Sequence, residues 1–277
     1  MTQNTRKPHL HLISVRSTEK PQHVLLMWKS GWTKTNSIMK TTELLGIGDH
    51  IHLSLVRKEP LTFASSWVPF QTSAKYSGVH LDEILSVNEQ ISSLCGSSNF
   101  HLRKIGSIRP YLSDASTAKL VLFLILSRLD YCNSTLSGFH SSSLNRLPKV
   151  QNNAAKLVFR KRESDHVTPL LKQLHWLPIE ACIRHEIGTF AFRHFENSLV
   201  PYLSELLQIY QPTRTLRSSN EKFLKVPQTK LKPAGNRSCC YQAAAVLNSL
   251  PIPVRDSLSL PRSKQISKLI CLKALFS

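Results

Sequence analysis

Three sets of residues in this 277-residue chain have the types that do chemistry. Two or three carboxylates held together can bind a pair of metal ions and transfer phosphoryl groups. Here Asp49, Asp82, Asp114 and Asp130 are dispersed, no Asp-Asp pair occurs, and Asp82-Glu83 is the one adjacent acidic pair. Cys182, His185 and His194 raise zinc. A closed zinc site needs four ligands in tetrahedral geometry. Cys182 and His185 share a helix face, but His194 follows more than two turns on, and Cys239-Cys240 is an adjacent pair poorly placed to share one ion. No nucleophile-elbow motif supports a Ser/His/Asp hydrolase. The residues therefore predict no catalytic group, no metal site and no cofactor.

Charge is the remaining lead. Lys and Arg number 36 against 17 acids, a net charge of +19. Such an excess favours a polyanion, because each Lys or Arg beside a phosphate releases a counterion. An acidic protein or a membrane surface satisfies the same charge. Arg103, Lys104 and Arg109 flank one helical segment, and Lys156, Arg160, Lys161 and Arg162 end another. Lys222, Lys225, Lys230, Lys232 and Arg237 line a Pro-containing stretch. A solvated basic face is the alternative to phosphate contacts for all of them.

The elements that position these residues form a mainly α fold (α+β overall). Residues 1–22 are polar and read as a disordered leader. Residues 23–85 carry short β-like stretches at His23–Trp28, Glu43–Ile47, His50–Val56 and Lys75–Leu81, broken by Gly and Pro. From Ser86 the period becomes helical through Val87, Ile91 and Leu94, continuing over Phe100, Ile105 and Ile108, until Pro110 stops it. Ser113 and Asp114 can cap a helix running to Arg128. Ser142 or Ser143 can start another with Leu144, Leu147, Gln151, Ala154, Leu157 and Val158 on one face. Pro148 predicts a kink there, or a helix that begins only at Pro148. Pro178 suits the first turn of the best helix, whose apolar stripe is Ile179, Cys182, Ile183, Ile187, Phe190 and Ala191, opposite Glu180, Arg184, Glu186 and Arg193. Pro201–Leu207, Tyr241–Leu250 and Lys264–Phe276 are further helix candidates. The helical region is thus 86–210, followed by a basic tail, 211–277, with twelve Lys or Arg against two acids.

Six cysteines without framework spacing read as reduced thiols. The start carries no visible signal peptide. The longest apolar run, Leu120–Leu126, falls far below the ~20 residues of a membrane span. The expectation is an intracellular protein, nucleus or cytoplasm not distinguished, with no membrane partner.

Three blocks in the middle third carry a family signal: Ser127-Arg128-Leu129-Asp130-Tyr131-Cys132-Asn133, Gln151-Asn152 followed by Ala154-Ala155, and Leu174-His175-Trp176-Leu177-Pro178. Further blocks keep the same order, among them Leu102-Arg103-Lys104-Ile105, Ile108-Arg109-Pro110-Tyr111-Leu112, Asp165-His166-Val167-Thr168-Pro169-Leu170-Leu171, Pro201-Tyr202-Leu203, Leu216-Arg217-Ser218-Ser219 and Asn248-Ser249-Leu250-Pro251. Together, over about 200 residues, they resemble the region after the catalytic domain in reverse transcriptases of LINE-type (non-LTR) retrotransposons. Lys40-Thr41-Thr42-Glu43 looks like that family's lysine loop, with Thr42 inserted. Tyr76-Ser77-Gly78-Val79 looks like its primer-gripping hairpin, with Ser77 replacing a core leucine.

The resemblance implies the end of a palm over residues 23–85 and a thumb-like helical region after it, whose helices lie against a template-primer duplex. It places Lys40, Arg103, Lys104, Arg109, Lys156, Arg160, Lys161, Arg162, Lys230 and Lys232 as candidate phosphate contacts to RNA or DNA. The family's paired palm aspartates and its endonuclease domain have no counterpart here, so the expectation is no polymerase activity. Arg128 and Asp130 read as a charge pair fixing a helix end, although Asp130 invites a catalytic reading. Tyr131, Asn133, Gln151, Asn152, His175 and Pro178 read as structural, and Trp176 as packing, with base stacking as the alternative. Pro148 stands where the family has Gln, Leu247 where it has Trp, and Cys239-Cys240 replaces a stretch of small and aromatic residues. These departures read as drift, and the first eighty residues are expected to be poorly ordered. Three readings stay open: an inactive retrotransposon-derived remnant, a co-opted protein- or nucleic-acid-binding module, and the C-terminal piece of an active reverse transcriptase encoded upstream.

Overall fold

The computed structural model of the chain describes residues 11–15, 24–28, 44–48, 53, 61–63, 66–211, 222–229 and 235–255. The chain is mainly helical with a small amount of sheet. It divides into two compact units, Met1–Ser93 and Leu94–Ser277.

The first unit holds the strands. β1 (His11–Val15), β2 (Val24–Trp28) and β3 (Leu44–Ile47) form an antiparallel meander. β4 (Leu61–Phe63) and β5 (Ser66–Val68) make a separate antiparallel pair, and β6 (Phe70–Gln71) lies parallel to β3. Leu44 and Val68 are buried, with Phe70 packed against them. β7 (Ser73–Tyr76) and β8 (Val79–Asp82) form a hairpin closed by Ser77 and Gly78, at φ 48° and 86°. Positive φ at both turn residues is the two-residue geometry that matches strand twist. Glycine adopts it freely, whereas Ser77 does so at a steric cost.

Two expectations change in this unit. β1 lies inside the segment read as an unstructured leader, because His11–Val15 has a neighbour to pair with five residues long. Leu53, the one described residue of His50–Val56, is helical and buried, not extended.

Helix α1 (Asn88–Ile108) begins in the first unit, and a 3₁₀ turn, Arg109–Tyr111, follows it with Pro110 inside. Ser113 caps α2 (Asp114–Val121), its hydroxyl accepting the Ser116 N–H at 3.2 Å. The helix then widens into a π segment, Leu122–Leu126, where the Ser127 N–H reaches the Leu122 carbonyl five residues back, and resumes as α3 (Ser127–Asp130). The apolar spacing predicts one uninterrupted helix here and gives no sign of the π turn. A 3₁₀ turn, Asn133–Leu136, leads to α4 (Ser141–Leu144) and α5 (Arg146–Val158). Pro148 falls in the first turn of α5, where its missing N–H has no intrahelical partner to lose. The helical hydrogen bonding is interrupted at Asn145, one turn before Pro148, although the Asn145 backbone stays helical at φ −51° and ψ −23°.

α6 (Thr168–Leu174), α7 (Ile179–Phe195) and α8 (Pro201–Ser204) follow. α7 packs against α3, α5, the Asn133–Leu136 turn and a later helix, α9 (Cys239–Asn248). It therefore buries Ala181, Gly188, Thr189 and Phe192 besides the predicted Ile179, Ile183, Ile187 and Ala191, while Cys182 and Phe190 are only half-buried. Pro178 is its N-cap, one residue outside the predicted first turn. A one-turn helix, α10 (Ile252–Arg255), closes the described chain.

The stretch from 211 onward does not form a separate tail where it is described. Ala243, Ala244, Val246 and Leu247 of α9 are buried, Leu247 completely. Asn248 accepts the Leu224 N–H at 3.1 Å and donates to the Leu224 carbonyl at 2.8 Å, holding a short bridge between Leu224 and Ile209. The Ser137 hydroxyl bonds to the Gln242 side chain at 3.0 Å. Prolines limit helix length in this stretch, but they do not prevent its short elements from docking. The predicted helix at Lys264–Phe276 lies outside the described residues, as do Lys40, Lys230 and Lys232.

Candidate functional site

The basic residues divide by burial. Arg109 is 5% exposed and spends its guanidinium inside the fold. Nε donates to the Leu157 carbonyl at 3.0 Å, Nη1 to Leu112 at 2.7 Å, and Nη2 to Val158 at 2.6 Å and to the Asp114 carboxylate. Leu157 and Val158 end α5, where the last carbonyls have no helical donor. A cation there also meets the negative end of the helix dipole. Arg109 is therefore a clamp between α5 and the turn into α2, not a phosphate contact. Lys156 is half-buried and its ammonium donates to the Glu163 carbonyl.

Arg103, Lys104, Arg160, Lys161 and Arg162 are exposed. Phe100, Lys104, Ile108 and Tyr111 follow one another at spacings of four, four and three, which aligns them on one side of α1 and its 3₁₀ extension. Phe100 is 50%, Ile108 46% and Tyr111 89% exposed, so this side faces solvent. The predicted apolar face of α1 is corrected accordingly: Ile91, Cys95 and Ile105 are buried, whereas Phe100 and Ile108 are not. The Lys104 ammonium lies 5.7 Å from the Phe100 ring centroid. Arg160 Nη2 lies 3.4 Å from both the Arg109 and Leu112 carbonyls, which puts its guanidinium at the Tyr111 end of the stripe. Two aromatic rings, two basic side chains and Ile108 thus share one exposed strip. The four-four-three spacing was available in the sequence, but a helical apolar period normally marks a core face.

The three blocks of the middle third meet elsewhere, around a cleft of about 340 Å³. Asp130 and Asn133 come from the first block, Gln151 from the second, and His175, Trp176 and Leu177 from the third, while Leu122 and Leu126 of the π segment and Cys182, His185 and Glu186 of α7 complete the walls. The local structure explains each block. Cys132 and His175 both adopt left-handed backbone, at φ 54°; Cys132 opens the Asn133–Leu136 turn after an extended Tyr131 ends α3, and His175 ends α6. The His175 N–H reaches Lys172 at 3.1 Å and the Trp176 N–H reaches Leu171 at 3.0 Å, which satisfies the last carbonyls of α6. Trp176 packs back on Ala155, Leu170 and Leu171. Gln151 is buried and donates to the Leu177 carbonyl at 2.8 Å, tying the second block to the third. Asn152 is half-buried and Tyr131 exposed.

The chain matches no protein-family model, no curated protein and no solved structure.

The Arg128–Asp130 pair is corrected. Arg128 donates to the Ser97 hydroxyl instead. Asp130 is exposed as a residue, yet its carboxyl stands at the cleft lip. Desolvation there pushes its pKa up, the Glu186 carboxylate adds to the rise, and a hydrogen bond from the Cys182 thiol opposes it. A raised carboxyl stabilises the fold below its unfolded value near ~3.9 and withdraws that stability as pH rises through the folded value. Asp130→Asn should therefore raise the urea midpoint at pH 7 and leave it unchanged near pH 3.5. Solvent screening holds the gain to about 1 kcal/mol or less. An equal shift at both pH values would disprove the assignment.

Among the described residues no group of three or more His, Cys, Asp or Glu is arranged to hold a metal ion. His194 turns away from the Cys182 side: its Nδ1 lies 2.9 Å from the Ser204 hydroxyl, its Nε2 is buried without a partner, and burial lowers its pKa. No helix among the described residues is long and apolar enough to cross a membrane.

Proposed function

We propose that this chain derives from the C-terminal part of a LINE-type reverse transcriptase, with the end of a palm before a thumb-like helical region, and that it binds RNA or DNA without polymerase activity. The order of blocks supports the descent. The exposed strip of Phe100, Lys104, Ile108, Tyr111 and Arg160, together with the exposed Arg103 on the same helix, carries the binding reading. Cations on such a strip meet phosphates without reading sequence. Exposed aromatic rings between them offer stacking faces to unpaired bases. A solvated helix face would normally shed its Phe, Ile and Tyr, so the strip fits a strand-binding surface better than a soluble exterior.

Fluorescence anisotropy with a labelled single-stranded oligonucleotide, across a salt series, tests this. Affinity should fall with salt. The triple variant Arg103→Gln, Lys104→Gln, Arg160→Gln should flatten the log–log slope by about 2, from about 0.7 per phosphate contact. Tyr111→Ala should weaken binding by about 1–3 kcal/mol with the slope kept. Binding that ignores salt, or a triple variant with the parental slope, would refute the interface. Primer extension with Mg²⁺ or Mn²⁺ should yield no product, and incorporation would refute the loss of activity.

A further inference from the structure

The exposed strip on α1 also distinguishes between forms of nucleic acid. Its rings and cations come in pairs. The Lys104 ammonium stands 5.7 Å from the Phe100 ring centroid, one helical turn along. Arg160 Nη2, 3.4 Å from the Arg109 and Leu112 carbonyls, stands beside Tyr111, which at 89% is the most exposed aromatic among the described residues. The sequence from Gln90 to Ser113 contains no acid, and the next one, Asp114, is held by Arg109. Helical rise puts Phe100 and Tyr111 about 18 Å apart along the axis. That span equals about 5 stacked nucleotides at ~3.4 Å each, so one strand reaches both pairs.

We propose, resting on the reading that this strip binds nucleic acid, that it selects unpaired single strands over duplex, each ring–cation pair taking one nucleotide, its base on the ring and its phosphate on the cation. A nucleotide in a single strand offers both a π face and a phosphate. In a duplex the base faces are covered by their neighbours. The same strip would then set Phe100, Ile108 and Tyr111 against a charged backbone and gain from its cations alone. The family resemblance implies a template-primer duplex along these helices, and the exposed rings favour the opposite form. The contacts need a base and a phosphate, not a 2′-hydroxyl, so DNA and RNA strands bind alike. An acidic polypeptide would satisfy the cations, but its carboxylates bring no repeated flat face to the rings.

The test measures anisotropy of the full chain with labelled oligo-thymidylate and oligo-uridylate of about twelve nucleotides, and with a duplex of equal length, at matched salt. Both single strands should bind at least about tenfold more tightly than the duplex. Phe100→Ala and Tyr111→Leu should each weaken single-strand binding about tenfold and leave duplex binding unchanged, and Tyr111→Phe should bind as the parent does. Leucine keeps an apolar contact without the flat ring, so this variant separates stacking from burial. Phe100 and Tyr111 are exposed, so these variants keep the fold. Equal affinity for strand and duplex, a Tyr111→Leu variant that binds as the parent does, or losses shared by the duplex would overturn the selection and leave salt-sensitive binding standing. Poly-glutamate displacing the strand as well, charge for charge, as unlabelled oligonucleotide would overturn the selection in favour of an acidic protein. No salt-sensitive binding to either form would overturn both this inference and the reading beneath it.

Discussion

Arg109→Ala should destabilise the helical unit by about 2–4 kcal/mol, because buried backbone acceptors left unsatisfied cost about 1–3 kcal/mol each. The side chain holds three backbone carbonyls and one carboxylate together. Its loss strands the Val158 carbonyl at the end of α5 and leaves the Leu157 carbonyl with only the long 3.4 Å bond from the Arg160 N–H. Urea unfolding followed by tryptophan fluorescence and by far-UV dichroism measures the change. A total stability of ~5–15 kcal/mol makes this a large fraction of the reserve. Arg109→Lys should recover only part of it, because one ammonium cannot span acceptors 48 residues apart in sequence that a fork reaches together. A loss below about 1 kcal/mol for the alanine variant would show that the clamp is redundant. This residue also separates binding from stability: if Arg109 contacted phosphate, its variants would lose affinity at unchanged stability.

Gly138→Ala should cost about 2–5 kcal/mol and loosen the segment 235–255. Gly138 has φ +75°, and a Cβ there would sit 2.8 Å from Gln242 Nε2, 2.9 Å from the Asn236 carbonyl oxygen and 3.0 Å from the Arg237 Cα. Left-handed backbone costs a residue with a Cβ about 1–2 kcal/mol. Forcing the extra carbon against backbone adds about 1–3 kcal/mol, since only the Gln242 amide can swing away. That amide is itself engaged, donating to the Asn236 carbonyl at 2.6 Å. Limited proteolysis should cut the variant first between 235 and 255, with the helices before Gly138 protected. A digestion pattern and urea midpoint like the parent's would show that the docking of α9 does not depend on this turn.

What the sequence made legible follows from how local each cause is. Ser113 at a helix start, Pro178 before α7 and Pro110 after α1 act within one turn, so their elements could be read directly. Gln151 and Trp176 could be read as packing residues, Gln151 buried and Trp176 half-buried, but not as neighbours, because the link runs through the Leu177 carbonyl, 26 residues from Gln151. Arg109 was misread for the same reason: a basic residue looks solvated until its partners at 157 and 158 are known. The docking of α9 was hidden by six prolines, which report on helix length and not on contact. Phe100, Ile108 and Tyr111 mislead in the opposite direction, since their spacing is that of a core face although no described neighbour covers them.

The π segment at Leu122–Leu126 fixes the phase of everything after it. One residue more than an ordinary turn holds is absorbed there, and each residue turns a helix by about 100°. A helix of regular pitch through the same chain, one residue shorter, would carry Asp130 about a quarter-turn or more around the axis. The carboxylate would then leave the side it shares with Asn133 and Glu186. A single-residue register shift, stored as a bulge, is thus what brings the first block into alignment with the other two.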